Sequence, residues 1–194
     1  RYDVAVVSDH DRRVTDLLAG TGWQVHRTTF AQIVGNTGHY QAIVLAGDGT
    51  DRADADPERF AQIVSEADQT GTSLVVLGTG GPSYGSVRTL SRVTGDPAVE
   101  AAELSNRGAV WLEDVVAHPI TDSLPDGTRV PLLTSGSWHA WYDDYTGWTL
   151  AMLGSDRDGQ RGGGVGYQRR TLTSNHILLP ASSPSPWSDW EPAM

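Results

Sequence analysis

The residues able to do chemistry gather in three places. The first is the stretch 74–86, Leu-Val-Val-Leu-Gly-Thr-Gly-Gly-Pro-Ser-Tyr-Gly-Ser. An apolar run ends at Gly78, a glycine-rich turn follows, and a helix is predicted after it. In an α/β sheet such a turn is where a nucleophile or a phosphate cradle sits. Gly81-Pro82-Ser83-Tyr84-Gly85 matches the Gly-x-Ser-x-Gly string of a serine-hydrolase elbow. His118, His139 and His176 are the candidate bases for a Ser–His–acid triad. Ser83, however, stands five residues beyond Gly78, far from the strand end. The preferred reading is that Ser83 or Ser86 caps the next helix.

The second place is a polar cluster at predicted strand ends. Ser8, Asp9, His10 and Asp11 follow the first strand, Gly47, Asp48 and Gly49 the third, and Thr79, Gly80 and Gly81 the fourth. Open α/β sheets bind ligands along that edge. The cluster suits a small polar ligand, a sugar or a hard cation, and equally suits turns and helix caps. The third place is the aromatic run Trp138, His139, Trp141, Tyr142, Tyr145 and Trp148. Such a run stacks on sugar rings or anchors a protein interface, or else covers a sheet.

Other chemistries fit poorly. The acidic segment 48–56 has its glycine misplaced for a calcium loop and lacks the bidentate Glu, so a solvated loop ending in a helix cap is expected. No Gly-x-Gly-x-x-Gly follows the first strand, which disfavours a dinucleotide. The six His residues show no His-x-His or His-x-x-x-His pairing, so no metal site is expected. No cofactor is expected either.

These residues need elements to hold them. Tyr2–Ser8, Trp23–Thr28, Ala42–Ala46 and Ser73–Gly78 read as strands, the first as a buried parallel one. Between them lie a helix from Asp11 to Gly20, with Val14, Leu17 and Leu18 on one face, and a helix opened by Asp56-Pro57-Glu58. The latter carries Phe60, Ile63, Val64 and Ala67 at core-facing spacing. Strands alternating with helices predict a parallel sheet covered on both faces. Farther on, Val110–Ala117, Thr149–Gly154, Gly164–Arg170 and His176–Pro180 read as strands, with a hairpin turn at Asp156-Arg157-Asp158-Gly159.

Composition bounds the partners. The net charge is −10, from 24 Asp+Glu against 14 Lys+Arg, and every cation is Arg. An acidic surface repels phosphate backbones, so nucleic acid is not an expected partner. No apolar stretch reaches the roughly 20 residues that span a bilayer, so membrane insertion is not expected. The absence of cysteine removes thiol catalysis and disulfides together. Arg1 is not a natural start, so the segment is expected to be excised from something longer.

The pattern resembles the class I glutamine amidotransferase-like fold. In enzymes of that superfamily a strand ends in Gly-x-Cys-x-Gly. Leu77-Gly78-Thr79-Gly80-Gly81 falls where that motif would, which puts Gly80 at the Cys position. The family's His would follow Ile177–Leu179, where the sequence is Pro180-Ala181-Ser182-Ser183. The resemblance therefore implies that both catalytic positions are vacant. A nearer resemblance is to trehalose-utilisation-type (ThuA-like) domains. It is carried by His118-Pro119-Ile120-Thr121-Asp122-Ser123-Leu124-Pro125 and by the glycine-rich Gly162–Tyr167. The ending His176–Ser183, then Asp189-Trp190-Glu191-Pro192, is similar to non-catalytic amidotransferase-like modules of large secreted bacterial proteins.

The expectation is a flavodoxin-like three-layer α/β domain over residues 1–181, with a mainly parallel sheet and a small antiparallel C-terminal extension. A tail, 182–194, is expected to dock through Trp187 and Trp190. The leading expected function is a non-catalytic accessory module, extracellular or at a bacterial cell surface. Its expected partners are a glycan, another protein, or a neighbouring domain of the same polypeptide. Ligand contacts are expected from Ser8, Asp9, Asp48, Thr79, Gly80, Gly81, Trp138, His139, Trp141 and Tyr142. The alternative is a sugar-binding or sugar-converting ThuA-like enzyme with Asp9, His10, Asp48 and His118 as acid/base groups. A third reading is a serine hydrolase using Ser83.

Overall fold

Buried apolar runs build the first half of the chain. The structure, a computed structural model, describes residues 3–10, 12–46 and 49–77. Beyond them it describes the strands at 101–104, 110–114, 129–133, 137–142, 149–156, 161–169, 175–178 and 181–184. Strands β1 (Asp3–Val7), β2 (Gln24–Thr28), β3 (Ala42–Leu45) and β4 (Ser73–Val76) pair in parallel in the order β2-β1-β3-β4. Strand β11 (Asn175–Leu178) adds a fifth parallel strand beside β4. This 2-1-3-4-5 order is that of flavodoxin-like sheets, and the α/β fold expected from the sequence is the one observed.

Successive residues of a strand face opposite sides, so each strand feeds two cores. On one side Ala5, Val7, Ile43, Leu45, Leu74 and Val76 pack with Phe30 and Ile33 of α2 (Phe30–Ile33), Ala53 of α3 (Gly49–Ala55), and Phe60, Ile63 and Val64 of α4 (Pro57–Thr70). On the other, Val4, Val6, Val44 and Ala46 pack with Val14 and Leu18 of α1 (Arg13–Gly20) and with Trp23 and Val25. Leu17, expected on the buried face of α1, is 45% exposed. Only the stripe through positions 14 and 18 meets the sheet.

Helix α4 begins as its sequence predicts. The Asp56 carboxylate accepts from the Arg59 amide at 3.2 Å, and Pro57 opens the first turn. Gly71, at φ 79°, ends the helix in the left-handed conformation. The segment before it corrects the expectation of a solvated loop, because residues 49–55 form helix α3. Ala53, 1% exposed, anchors α3 on the core. A Cβ at Gly49 would come within 3.3 Å of both the Val7 carbonyl oxygen and Leu45 Cβ. Glycine therefore lets α3 approach the ends of β1 and β3 closely.

Glu66 ties α4 to the segment after α2. Its carboxylate accepts from Thr37 Oγ1 at 2.7 Å, from the Gly35 amide at 2.9 Å and from Gln62 Nε2 at 3.0 Å. The Thr37 hydroxyl, opposed by burial and helped by Gly35 and Gln62, holds this carboxyl below the ordinary glutamate value of 4.5. A depressed folded value means the contribution is full above pH 4.5 and fades as pH falls through the folded value. Glu66→Gln should lower stability by about 0.5–1 kcal/mol at pH 7. Urea titrations should find the wild-type advantage gone in strong acid.

The C-terminal half is antiparallel. Strand β10 (Arg161–Arg169) pairs with β11, then β9 (Thr149–Asp156), β6 (Val110–Asp114) and β7 (Arg129–Leu133) follow outward. The β9–β10 pair is antiparallel, with Arg161 opposite Ser155, as the turn signal at 156–159 predicts. Strand β8 (Ser137–Tyr142) joins β10 at Gly163–Tyr142 and is flanked by β5 (Ala101–Leu104) and β12 (Ala181–Pro184). The antiparallel part is thus larger than the small extension expected. Strand β12 runs across the expected boundary at residue 182. Trp187 and Trp190 lie outside the described residues.

Candidate functional site

One row of register aligns the strand ends. Thr28, Val7, Leu45, Val76 and Leu178 sit side by side across β2, β1, β3, β4 and β11. The carboxyl ends of these strands therefore lie along a single edge of the sheet, where the sequence places the candidate polar cluster. His176 is not among them: it pairs in register with Leu74, two positions inside the edge. Asp11, Gly47, Asp48, Thr79, Gly80, Gly81, Ser83, Ser86 and His118 lie outside the described residues.

The loop after β1 is tightly built. Ser8 and Arg12 both adopt left-handed backbone, at φ 65° and 64°, a conformation that costs roughly 1–2 kcal/mol for a residue with a side chain. Asp9 offsets it. Its carboxylate is buried, 4% exposed, and accepts from Thr15 N at 2.6 Å, Thr15 Oγ1 at 2.5 Å and Val14 N at 3.3 Å. Arg12, at the start of α1, supplies no side-chain cap. Asp9 does so instead, and its negative charge sits at the positive end of the helix. Arg27 Nη2 donates to the Asp9 carbonyl at 2.9 Å. Of the residues expected to bind or react, Asp9 is thus committed to holding α1.

Beside this loop opens a cleft of about 500 Å³. Ser8, Asp9 and His10 form one wall, and Arg27, Thr28, Thr29 and Phe30 form another. Arg52, Ala55, Asp56 and Arg59, from α3 and the start of α4, close the third side. Thr29 begins α2 with a capping box: its amide donates to Gln32 Oε1 at 3.1 Å. Arg59 Nη1 pairs with Asp56 Oδ2. The structure therefore brings Ser8, Asp9 and His10 to one ligand-sized space. It adds three arginines that the sequence reading did not single out, since each comes from a different element. Among the described residues no group of His, Cys, Asp and Glu could hold a metal ion, and no helix is long and apolar enough to cross a membrane.

The aromatic candidates lie in β8. Strand pleating gives positions 138, 140 and 142 one face and positions 137, 139 and 141 the other. Trp138 therefore shares a face with Tyr142, and His139 shares one with Trp141. In register, Ala101 lies opposite Tyr142, Ala102 opposite Trp141, Ser183 opposite Trp138, and Leu104 and Ser182 opposite His139.

No protein-family model and no curated protein sequence matches the chain. Solved structures do. A ThuA-like protein from Parabacteroides merdae superposes with TM-score 0.58 at 16% identity, over 92% of this chain and 78% of that one. A glutamine amidotransferase from Thermotoga maritima gives TM-score 0.55 at 13% identity, over 92% of this chain and 74% of that one. The carbohydrate deacetylase Agd3 gives TM-score 0.55 at 13% identity, over 97% of this chain but 29% of that one. The chain has the fold shared by glutamine amidotransferase-like and ThuA-like proteins.

Proposed function

We propose that this domain is a non-catalytic amidotransferase-like module that binds and does not react. It serves as an accessory part of a larger secreted bacterial protein and engages a glycan or a neighbouring domain. The observation that supports it most is the parallel pairing of β4 with β11, Val76 beside Leu178. Their ends, on neighbouring strands, are where the resemblance puts the family's Cys and His. In this chain the segments that follow are Leu77-Gly78-Thr79-Gly80-Gly81 and Leu179-Pro180-Ala181-Ser182, with no cysteine anywhere. An acyl-transfer site without a nucleophile and base retains only its binding surfaces.

Partner binding is assigned to the three-stranded β5–β8–β12 ribbon, in which Trp138, Trp141 and Tyr142 of β8 stand opposite Ser183, Ala102 and Ala101. Sugar conversion, the second reading, draws on the likeness to a ThuA-like protein and a carbohydrate deacetylase and on His10 at the cleft. It is weakened by the engagement of Asp9 with α1. Pull-down on insoluble bacterial polysaccharides should be weakened at least about tenfold by Trp138→Ala or Trp141→Ala, in keeping with an aromatic anchor. A fluorophosphonate probe should leave the Ser83 peptide at its unmodified mass. Undiminished binding by both variants, or an adduct on Ser83, would sink this reading.

A further inference from the structure

Strand β8 is paired on both sides, residue for residue. Positions 139–142 run against 104–101 of β5, and positions 137–140 against 184–181 of β12. Pairing without a bulge keeps the strict alternation of faces, so Trp138, Ala140 and Tyr142 share one face. Residues directly opposite in an antiparallel pair belong to the same face. Ser183 therefore stands beside Trp138, Ala181 and Glu103 beside Ala140, and Ala101 and Gly163 beside Tyr142. This face has two aromatic positions, and every other residue in register with them is Ala, Ser or Gly except Glu103 at the midpoint. Four strand residues at about 3.4 Å each set the two aromatic positions roughly 14 Å apart. Both belong to one strand held by neighbours on either side, so the backbone fixes that separation.

Resting on the assignment of partner binding to this ribbon, we propose that its 138–142 face binds a neutral, unbranched, β-1,4-linked polysaccharide along its length. The glycan lies parallel to β8, with one sugar at the Trp138 position and another at the Tyr142 position. Aromatic residues offer a large flat apolar surface on which a sugar ring stacks. Anchors roughly 14 Å apart are beyond the reach of one sugar or of two linked sugars. A longer run of chain is needed to engage both. The two anchors lie on one straight strand, which suits an extended glycan and not a coiled or branched one. Ala140 and the short residues in register leave room for the sugars between them, and a Glu at the midpoint is an acceptor type that suits hydroxyls. The net charge of −10 disfavours an anionic polymer.

Isothermal titration of the whole chain with cello-oligosaccharides and chito-oligosaccharides, from dimer to hexamer, tests this. At least one series should show a length threshold. Its hexamer should bind with Kd on the order of 0.1 mM, and its dimer at least about tenfold more weakly. Maltohexaose, whose α-linked chain coils, should also bind at least about tenfold more weakly than the extended hexamer. Trp138→Ala and Tyr142→Ala each leave one anchor, so dimer and hexamer should then bind alike. Trp141→Ala, on the other face of β8, should leave the threshold at the same length. Circular dichroism confirms that the variants are folded. Binding of the wild type that is independent of length, or equal for maltohexaose, would overturn the proposal and leave the ribbon as a binding surface. Failure of both series to bind would overturn it too, and the pull-down on insoluble polysaccharides then decides separately whether the ribbon binds glycan.

Discussion

Replacing Phe60 with Ala should lower the unfolding free energy by about 3–5 kcal/mol, the cost of deleting a buried aromatic ring. Phe60 is 1% exposed. It projects from α4 into the core that also holds Ile43, Leu45 and Leu74 of the sheet. Its ring stacks on Phe30 with centroids 5.8 Å apart and planes 21° from parallel, an arrangement that adds to simple burial. Truncation removes the transfer energy of the ring and leaves a void in this core. Typical domains hold only about 5–15 kcal/mol in reserve, so this one change consumes much of it. Phe30 also lines the cleft, so the loss should reach the site as well. Phe60→Leu, which keeps most of the volume, should cost less than half as much. Chemical denaturation followed by far-UV circular dichroism measures both.

Asp9→Ala should cost about 2–4 kcal/mol. The substitution leaves Val14 N, Thr15 N and Thr15 Oγ1 without their acceptor in a buried setting. A hydrogen bond to a charged group contributes roughly 1.5–3 kcal/mol, and a stranded buried donor adds its desolvation cost. The three losses overlap, because one carboxylate serves all of them. With the clamp gone, the left-handed backbone at Ser8 and Arg12 loses the carboxylate that offsets it, and the loop should relax. Asp9→Asn keeps the shape and one good acceptor, so its loss should fall between wild type and Ala. A stability change this large separates a helix-capping Asp9 from an acid/base Asp9. An exposed catalytic carboxylate could be removed with little effect on folding.

The parallel half of the fold was legible because its signals are local. β1, β3 and β4 are short continuous apolar runs, and Asp56-Pro57 and Gly71 bracket α4 with their own backbone requirements. Helix α3 was missed because the acids of 48–56 imitate a solvated loop. Its helical state depends on Ala53 finding the sheet, a contact distant in sequence. Strands β7 and β12 carry Pro131 and Pro184, which argue against strands in a sequence. Both lie at sheet edges, where a missing N–H is tolerated. β8 was read as an aromatic cluster, and only its pairing with β5 and β12 reveals the two faces. At the site, Ser8, Asp9 and His10 were legible as a strand-end segment. That Asp9 caps α1 from outside the helix was not, since the acceptor stands five and six residues before its donors. Arg27, Arg52 and Arg59 share no spacing, because the topology alone brings them to one cleft.

The most direct test of binding without reaction is product release by the whole chain. Proton NMR would follow a mixture of glutamine and an acetylated sugar incubated with the protein at pH 7. The predicted result is that neither compound is consumed faster than in buffer alone. Saturable consumption of either one, abolished by Ser83→Ala or by His10→Ala, would contradict the proposal and place a working catalytic site in this domain.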